Sequence, residues 1–244
     1  MGTKGGRRFY HQRWVSVVGK IIKLPSLQDL MGFLRTETLK LYEEAITQQG
    51  TFHIALSGGN SILPFLDMFR DMKLQWEKVH IYQVDERLVP PQSEESNQKL
   101  IRDRLCRFVS IPEDNLHFVP ITQSPEQSAI EYERMIKESL PERGFDAVVM
   151  GLGKDCHVAS LFPDGPWLDV KDALTVTVVR KETPQPRVSL TFSGLARTKR
   201  LYLLIIGKEK LQALRMLQDK RVSVGKCPGK ELLKLRNSFV LAAI

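Results

Sequence analysis

No stretch of this 244-residue sequence approaches the roughly 18 consecutive apolar residues that span a bilayer, which argues against a membrane-spanning helix. A secretory signal is also missing. Arg7, Arg8 and Arg13 sit among the first residues, and the apolar positions that follow are broken by Lys20 and Lys23. Residues 1–14 therefore read as a loose basic leader, and a cytoplasmic location is expected. Cysteine is scarce: Cys106, Cys156 and Cys227 are far apart, forming neither a CxxC metal pattern nor an even disulfide framework, as suits a reducing compartment. There is no HxxxH or HExxH pair, so no metal is expected. GxxxxGK(S/T) and GxGxxG are absent too, which leaves ATP, NAD or any other cofactor unsupported. Without a GxSxG elbow, a serine nucleophile has no support.

What is present is an ordinary globular composition, 42% hydrophobic and 26% charged, with a net charge of +8 that would suit an anionic partner. The basic residues are scattered, aromatics make up 8%, and no nucleic-acid-binding pattern appears, so a small anionic ligand is favoured over nucleic acid. One domain over residues 15–244 is the simplest organisation. Ser26 followed by Asp29 marks a helix start, and apolar residues at helical spacing continue to Gly50. Residues 52–56, 79–84, 145–150, 174–179 and 201–206 read as strands alternating with helical segments. This predicts an α/β fold: a mostly parallel, doubly wound sheet flanked by helices, with a smaller β-containing region in residues 170–244. Ligands in such sheets sit beyond the carboxyl ends of the strands.

Three loops follow predicted strands. Ser57-Gly58-Gly59-Asn60-Ser61 offers open backbone N–H groups ahead of a helix and could cradle a phosphate, although a tight turn needing positive φ explains it equally well. Asp85-Glu86-Arg87 places a guanidinium fork beside two carboxylates, where a surface ion-pair cluster is the plainer explanation, and Ser96-Asn97 suits a helix cap. Gly151-Leu152-Gly153-Lys154-Asp155-Cys156-His157 is the most informative. A histidine on a glycine-rich turn is awkward for packing and well suited to proton transfer. His11, His53, His80 and His117 are read as core or surface residues.

These segments resemble the 6-phosphogluconolactonase family. Leu56-Ser57-Gly58-Gly59 is similar to its L-S-G-G-S-T-P loop. Asp85-Glu86-Arg87, Val89-Pro90 and Ser96-Asn97 are similar to its D-E-R-x-V-P and S-N elements. The stretch from Gly151 through Asp155 and His157 to Ala159-Ser160-Leu161-Phe162-Pro163 is similar to G-x-G-x-D-G-H-x-A-S-L-F-P, and Arg187-Val188-Ser189-Leu190-Thr191 to R-I-T-L-T. The resemblance implies a fold shared with glucosamine-6-phosphate deaminases and ribose-5-phosphate isomerases. It implies metal-free hydrolysis of 6-phospho-D-glucono-1,5-lactone to 6-phosphogluconate in the oxidative pentose phosphate pathway. The implied partner is a small sugar phosphate, with fusion to or association with glucose-6-phosphate dehydrogenase as a further arrangement.

Carried over by position, Ser57, Gly58, Gly59, Ser61, Arg87 and Arg187 would hold the phosphate, and His157 would activate water and then protonate the leaving ring oxygen. Backbone N–H groups of the glycine loops, Gly153 included, would stabilise the oxyanion. Asp155 and Asp85 would orient His157 or bind sugar hydroxyls, without a division between them. The chain departs from the pattern in places. Cys156 replaces the glycine before the histidine, a costly exchange if that position needs positive φ. Asn60-Ser61-Ile62 stands for Ser-Thr-Pro, Val158 for threonine, and Ser193 and Ala196 for proline and asparagine. Two alternatives remain: an aldosamine-6-phosphate deaminase or isomerase, disfavoured because Phe162 stands where those deaminases carry a catalytic glutamate, and a non-catalytic sugar-phosphate-binding homologue.

Overall fold

The computed structural model describes residues 20–244 and, before them, the backbone of two strands, β1 (Arg7–Tyr10) and β2 (Arg13–Val18). Side chains before residue 20 lie outside the described residues, and the expectation of a loose leader over residues 1–14 falls only in part on described backbone, where Arg7–Tyr10 pairs with residues 13–16. The first half continues with β3 (Ile21–Lys23), α1 (Leu27–Gln49), β4 (Phe52–Leu56), α2 (Leu63–Arg70), β5 (Val79–Gln83), β6 (Asp85–Arg87), α3 (Asn97–Arg104) and β7 (Leu116–His117). The second half contains α4 (Pro125–Ser139), β8 (Ala147–Gly151), β9 (Thr175–Arg180), β10 (Thr183–Leu190), α5 (Phe192–Ala196), β11 (Leu201–Ile206), α6 (Leu211–Gln218), α7 (Gly229–Leu232) and β12 (Ser238–Ala243).

Local chemistry sets the ends of α1. Ser26 Oγ accepts from the Asp29 N–H at 3.1 Å, and Gly50, at φ +81°, turns the chain out of the helix while its N–H reaches Ile46 O. Leu30, Leu34, Thr38, Leu41 and Ala45 recur every three or four residues and, with Phe33 and Tyr42, bury one stripe of it.

The main sheet runs β3-β12-β11-β8-β4-β5-β7, with every neighbouring pair parallel, and β2 and β1 extend it by antiparallel pairing beyond β3. Alternate residues of each strand feed two cores. Ile54, Leu56, Ile81, Val149 and Leu204 pack under α1, α2 and α3, whereas Ala55, Tyr82, Val148, Leu203 and Val240 pack under α4, α5 and α6. Each of the large side chains buried here contributes on the order of 2 kcal/mol of transfer free energy. Coverage of both faces is what lets strands as apolar as Leu201–Ile206 exist.

That apolar strand also divides the predicted C-terminal β region. β9 and β10 pair antiparallel and take in β6 as a separate three-stranded sheet, but β11 and β12 are buried on both faces and belong to the main sheet. A second expectation is corrected. The cysteines do form a disulfide: Cys156 is joined to Cys227, 71 residues on, with Cα atoms 4.8 Å apart. Sequence spacing hides the pair because the fold alone lays the loop after β8 against the start of α7. Cys106 is free, and burial pushes its thiol up to about 11. Among the described residues, no helix is long and apolar enough to cross a membrane.

Candidate active site

The chain winds from β4 outward to β5 and β7, then crosses back to β8 on the other side of β4 and continues to β11. The loops after β4 and β8 therefore part in opposite directions and leave a crevice at the carboxyl ends of adjacent strands. The Asp85-Glu86-Arg87 strand departs from the end of β5, directly beside β4. All ten expected site residues, Ser57, Gly58, Gly59, Ser61, Asp85, Arg87, Gly153, Asp155, His157 and Arg187, line this single cleft of about 410 Å³.

On one wall, His157 Nδ1 lies 2.5 Å from Asp155 Oδ1. An ionised carboxylate only accepts hydrogen bonds, so Nδ1 carries the proton, and in the uncharged tautomer the lone pair falls on Nε2. Burial pushes the Asp155 pKa up, but the hydrogen bond and charge of His157 outweigh it and hold the carboxyl at about 2. The ring is held from two further sides. Phe162 packs against it with ring centroids 4.5 Å apart, and a Cβ on Gly153 would overlap Nδ1 and the Asp155 carboxylate. Gly153 is required here by close approach. The turn that aims the histidine passes through Cys156 at φ +71°, the conformation glycine adopts without penalty.

Another part of the lining is cationic. β6 and β10 pair so that Arg87 and Arg187 occupy the same rung, and the Nε atoms of both are buried without a hydrogen-bond partner. Burial first, and then the facing Arg87, pull the Arg187 pKa down. Two guanidinium groups that line one cleft suit an anionic ligand. Arg87 is fixed from behind: its Nη1 donates to Glu95 O at 2.6 Å and its backbone N–H to Glu86 Oε1 at 2.8 Å. Glu86 is buried and also accepts from Gln83 Nε2, Ser96 Oγ and the N–H groups of Asn97 and Gln98, so it caps α3 and braces Arg87 together. Ser96 caps α3 as expected, accepting from the Lys99 N–H.

The two aspartates separate. Asp85 accepts from Ser160 Oγ at 2.6 Å and tethers the histidine loop to β6, whereas Asp155 alone pairs with His157. Ser57 Oγ accepts from the Gly151 N–H at 3.3 Å, joining the loops after β4 and β8. In the glycine loop, Gly59 takes the turn at φ +78°, while Gly58 makes room for Asn97, whose amide occupies the space of a Cβ there. The N-terminus of α2 beyond it has no side-chain cap.

Sequence reasoning missed two cleft residues. Asn97 is expected as part of a helix cap and of the S-N element without a site role, yet its side chain lines the cleft and donates to Asp85 O at 2.9 Å. Lys210, from the turn before α6, donates to Leu152 O at 2.7 Å and adds a further cation to Arg87, Arg187 and Lys154, its pKa lowered by burial. Nothing in a lone lysine at that position signalled its place; only the parallel pairing of β11 with β8 brings it to the cleft.

The fold and site together define a parallel α/β protein whose cleft sets two facing arginines beside a histidine–aspartate pair. The chain belongs to the family described as glucosamine-6-phosphate isomerases/6-phosphogluconolactonase, whose model matches residues 25–237. A relative named 6-phosphogluconolactonase from Nostoc sp. is 36% identical over 178 residues, covering 70% of this chain and 73% of the relative. The crystal structure of 6-phosphogluconolactonase from Thermotoga maritima superposes with a TM-score of 0.78 at 28% identity, covering 91% of this chain and 97% of that one. The human GDH/6PGL endoplasmic bifunctional protein is 31% identical over 191 residues, 75% of this chain, and the chain spans about a quarter of that protein's length, 24%.

Proposed function

We propose that this chain hydrolyses 6-phospho-D-glucono-1,5-lactone to 6-phosphogluconate. One observation carries the reading: two facing arginines whose buried Nε donors lack partners line the same cleft as a histidine whose Nδ1 is held by Asp155. The 6-phosphate binds between Arg87 and Arg187 and places the ring toward His157, with Lys210 adding positive charge. His157 Nε2 takes a proton from water as its oxygen attacks C1. The tetrahedral oxyanion is held by backbone N–H groups of the glycine loops. Collapse breaks the bond from C1 to the ring oxygen, to which the same imidazolium returns the proton. Asp155 keeps Nδ1 protonated and stabilises the imidazolium between these steps.

Phe162 opposes the deaminase alternative. It stands against the His157 ring where that chemistry would need a carboxylate. The disulfide bears on location as well. Such bonds persist in oxidising compartments, so Cys156–Cys227 favours one over the expected cytoplasm, in keeping with the endoplasmic location in the human relative's name. That relative's bifunctional name also keeps fusion to a dehydrogenase among the arrangements open to this chain.

The test is hydrolysis of freshly prepared lactone with and without its phosphate. The phosphorylated lactone should be hydrolysed well above its spontaneous rate, and glucono-1,5-lactone should have a kcat/KM lower by about 100-fold or more, as expected when two charged hydrogen-bonding groups lose their partner. Equal rates with and without protein would sink catalysis, and equal kcat/KM for the two lactones would sink the phosphate assignment.

A further inference from the structure

We propose that the Cys156–Cys227 disulfide is a positioning device for His157, holding the catalytic loop in a left-handed turn that glycine would otherwise supply. The inference rests on the lactonase reading for its kinetic meaning.

The loop that carries His157 is unusual in its backbone. Cys156, Ala159 and Asp164 have φ of +71°, +51° and +58°, a region in which a Cβ meets the neighbouring carbonyl. A non-glycine residue left to itself spends little time there, so something outside the loop must hold it. Two of the three residues are fastened to one short segment, the turn between α6 and α7. Cys156 is bonded to Cys227, and its carbonyl accepts from the Gly229 N–H at 3.1 Å. The Asp164 N–H donates to Gly225 O at 2.9 Å, and its carboxylate pairs with Lys226 Nζ at 2.5 Å.

The receiving segment is itself well fixed. Cys227 is fully buried, its N–H donates to Ser223 O at 3.0 Å, and Leu232 behind it packs in the core. Cys156 directly precedes His157, and the Gly153 N–H closes the turn onto His157 O at 2.9 Å. The crosslink thus lies one peptide unit from the base. Release of residue 156 from the left-handed region would rotate that peptide and carry the imidazole off Asp155. Arg87 on β6 is held by Glu86 and Glu95, outside the tethered loop.

This arrangement predicts a specific pattern. Titration of unfolded, unreduced protein with an aromatic disulfide reagent should find one thiol, Cys106. Reduction of folded protein by a dithiol passes two electrons and two protons to the pair, leaving two thiols while the reagent closes to a cyclic disulfide. Reduced protein and Cys227→Ala should each lose kcat by about 5- to 30-fold, the population penalty of a left-handed non-glycine residue, with KM changed less than about twofold. Cys156→Gly placed in the Cys227→Ala background should restore kcat and make it insensitive to the dithiol. A role confined to global stability would not give this rescue, because the double variant still lacks the crosslink.

Amide hydrogen exchange over residues 151–158 provides a readout without turnover: faster in reduced protein and in Cys227→Ala, and restored by the glycine. Three titrating thiols, an unchanged kcat after reduction, or failure of the glycine to rescue would each overturn the proposal. If oxidised protein shows no lactonase activity, the functional reading fails separately, and the thiol count and the exchange pattern decide the positioning role. If Cys227→Ala does not fold, reduced wild type and the double variant carry the same comparison.

Discussion

Arg87 and Arg187 stand directly opposite each other on one rung of the antiparallel pair β6–β10, and neither buried Nε atom has a hydrogen-bond partner. Like charges so placed cost stability until an anion joins them. Saturating 6-phosphogluconate, at about 100 times its Kd, should therefore stabilise the protein by about 2.7 kcal/mol, a rise in Tm of roughly 5–10 °C for a chain of this size. In Arg187→Gln most of that rise should vanish, while KM for the lactone increases about tenfold and kcat stays within about threefold. Thermal scans with and without ligand, paired with steady-state kinetics, make the comparison. An undiminished ligand shift in Arg187→Gln would return the pair to a structural role.

Asp155 makes a different prediction, because its interaction is with the base. Asp155→Asn can present an amide N–H to Nδ1, which favours the tautomer with its proton on Nε2 and removes the lone pair that water needs. The expected result is a loss of kcat of about 100-fold or more with KM nearly unchanged, since Arg87 and Arg187 are untouched. A variant that loses affinity while keeping kcat would show that Asp155 binds substrate hydroxyls instead.

Much of this was legible in the sequence, for identifiable reasons. The limits of α1 could be read because Ser26 and Gly50 act locally, through a cap and a left-handed turn. β4 and β11 could be read because continuous apolar runs suit strands covered on both faces. All ten site residues converge because a parallel sheet sends the loops after adjacent strands to one edge. What could not be read depends on chain distant in sequence. Lys210 reaches the cleft through the pairing of β11, Asn97 reaches it by occupying the space beside Gly58, and Cys227 finds Cys156 only once α7 has docked. The division of labour between Asp85 and Asp155 was likewise hidden, since Ser160, which engages Asp85, lies 75 residues away in sequence.

Three histidines read from sequence as ordinary core or surface residues form a stack on the α4 side of the sheet. His53 lies over His80 with centroids 4.4 Å apart, His80 over His117 at 5.3 Å, and His80 Nδ1 meets His117 Nε2 at 3.0 Å, a contact that needs at least one lone pair. Burial, then the charges of His80, Arg143 and His117, lowers His53 to about 3. Burial and the charge of His80 lower His117 to about 4, and burial lowers His80. All three bind protons more tightly when unfolded, near pH 6.5, so their contribution to stability is complete above that pH and is lost as pH falls toward 4 and then 3. Each histidine contributes a limiting slope of about 1.4 kcal/mol per pH unit within this window. Glu86 and Asp146, whose burial raises their pKa values, act with the opposite sign above the ordinary carboxylate range, so a single-site comparison isolates the stack. Denaturant unfolding between pH 7 and 5 should show wild type losing stability steadily, and His117→Phe, which keeps an aromatic ring in the stack, should lose it with a slope shallower by about one proton. Equal slopes in the two proteins would mean that His117 does not titrate between the folded and unfolded states as its burial requires.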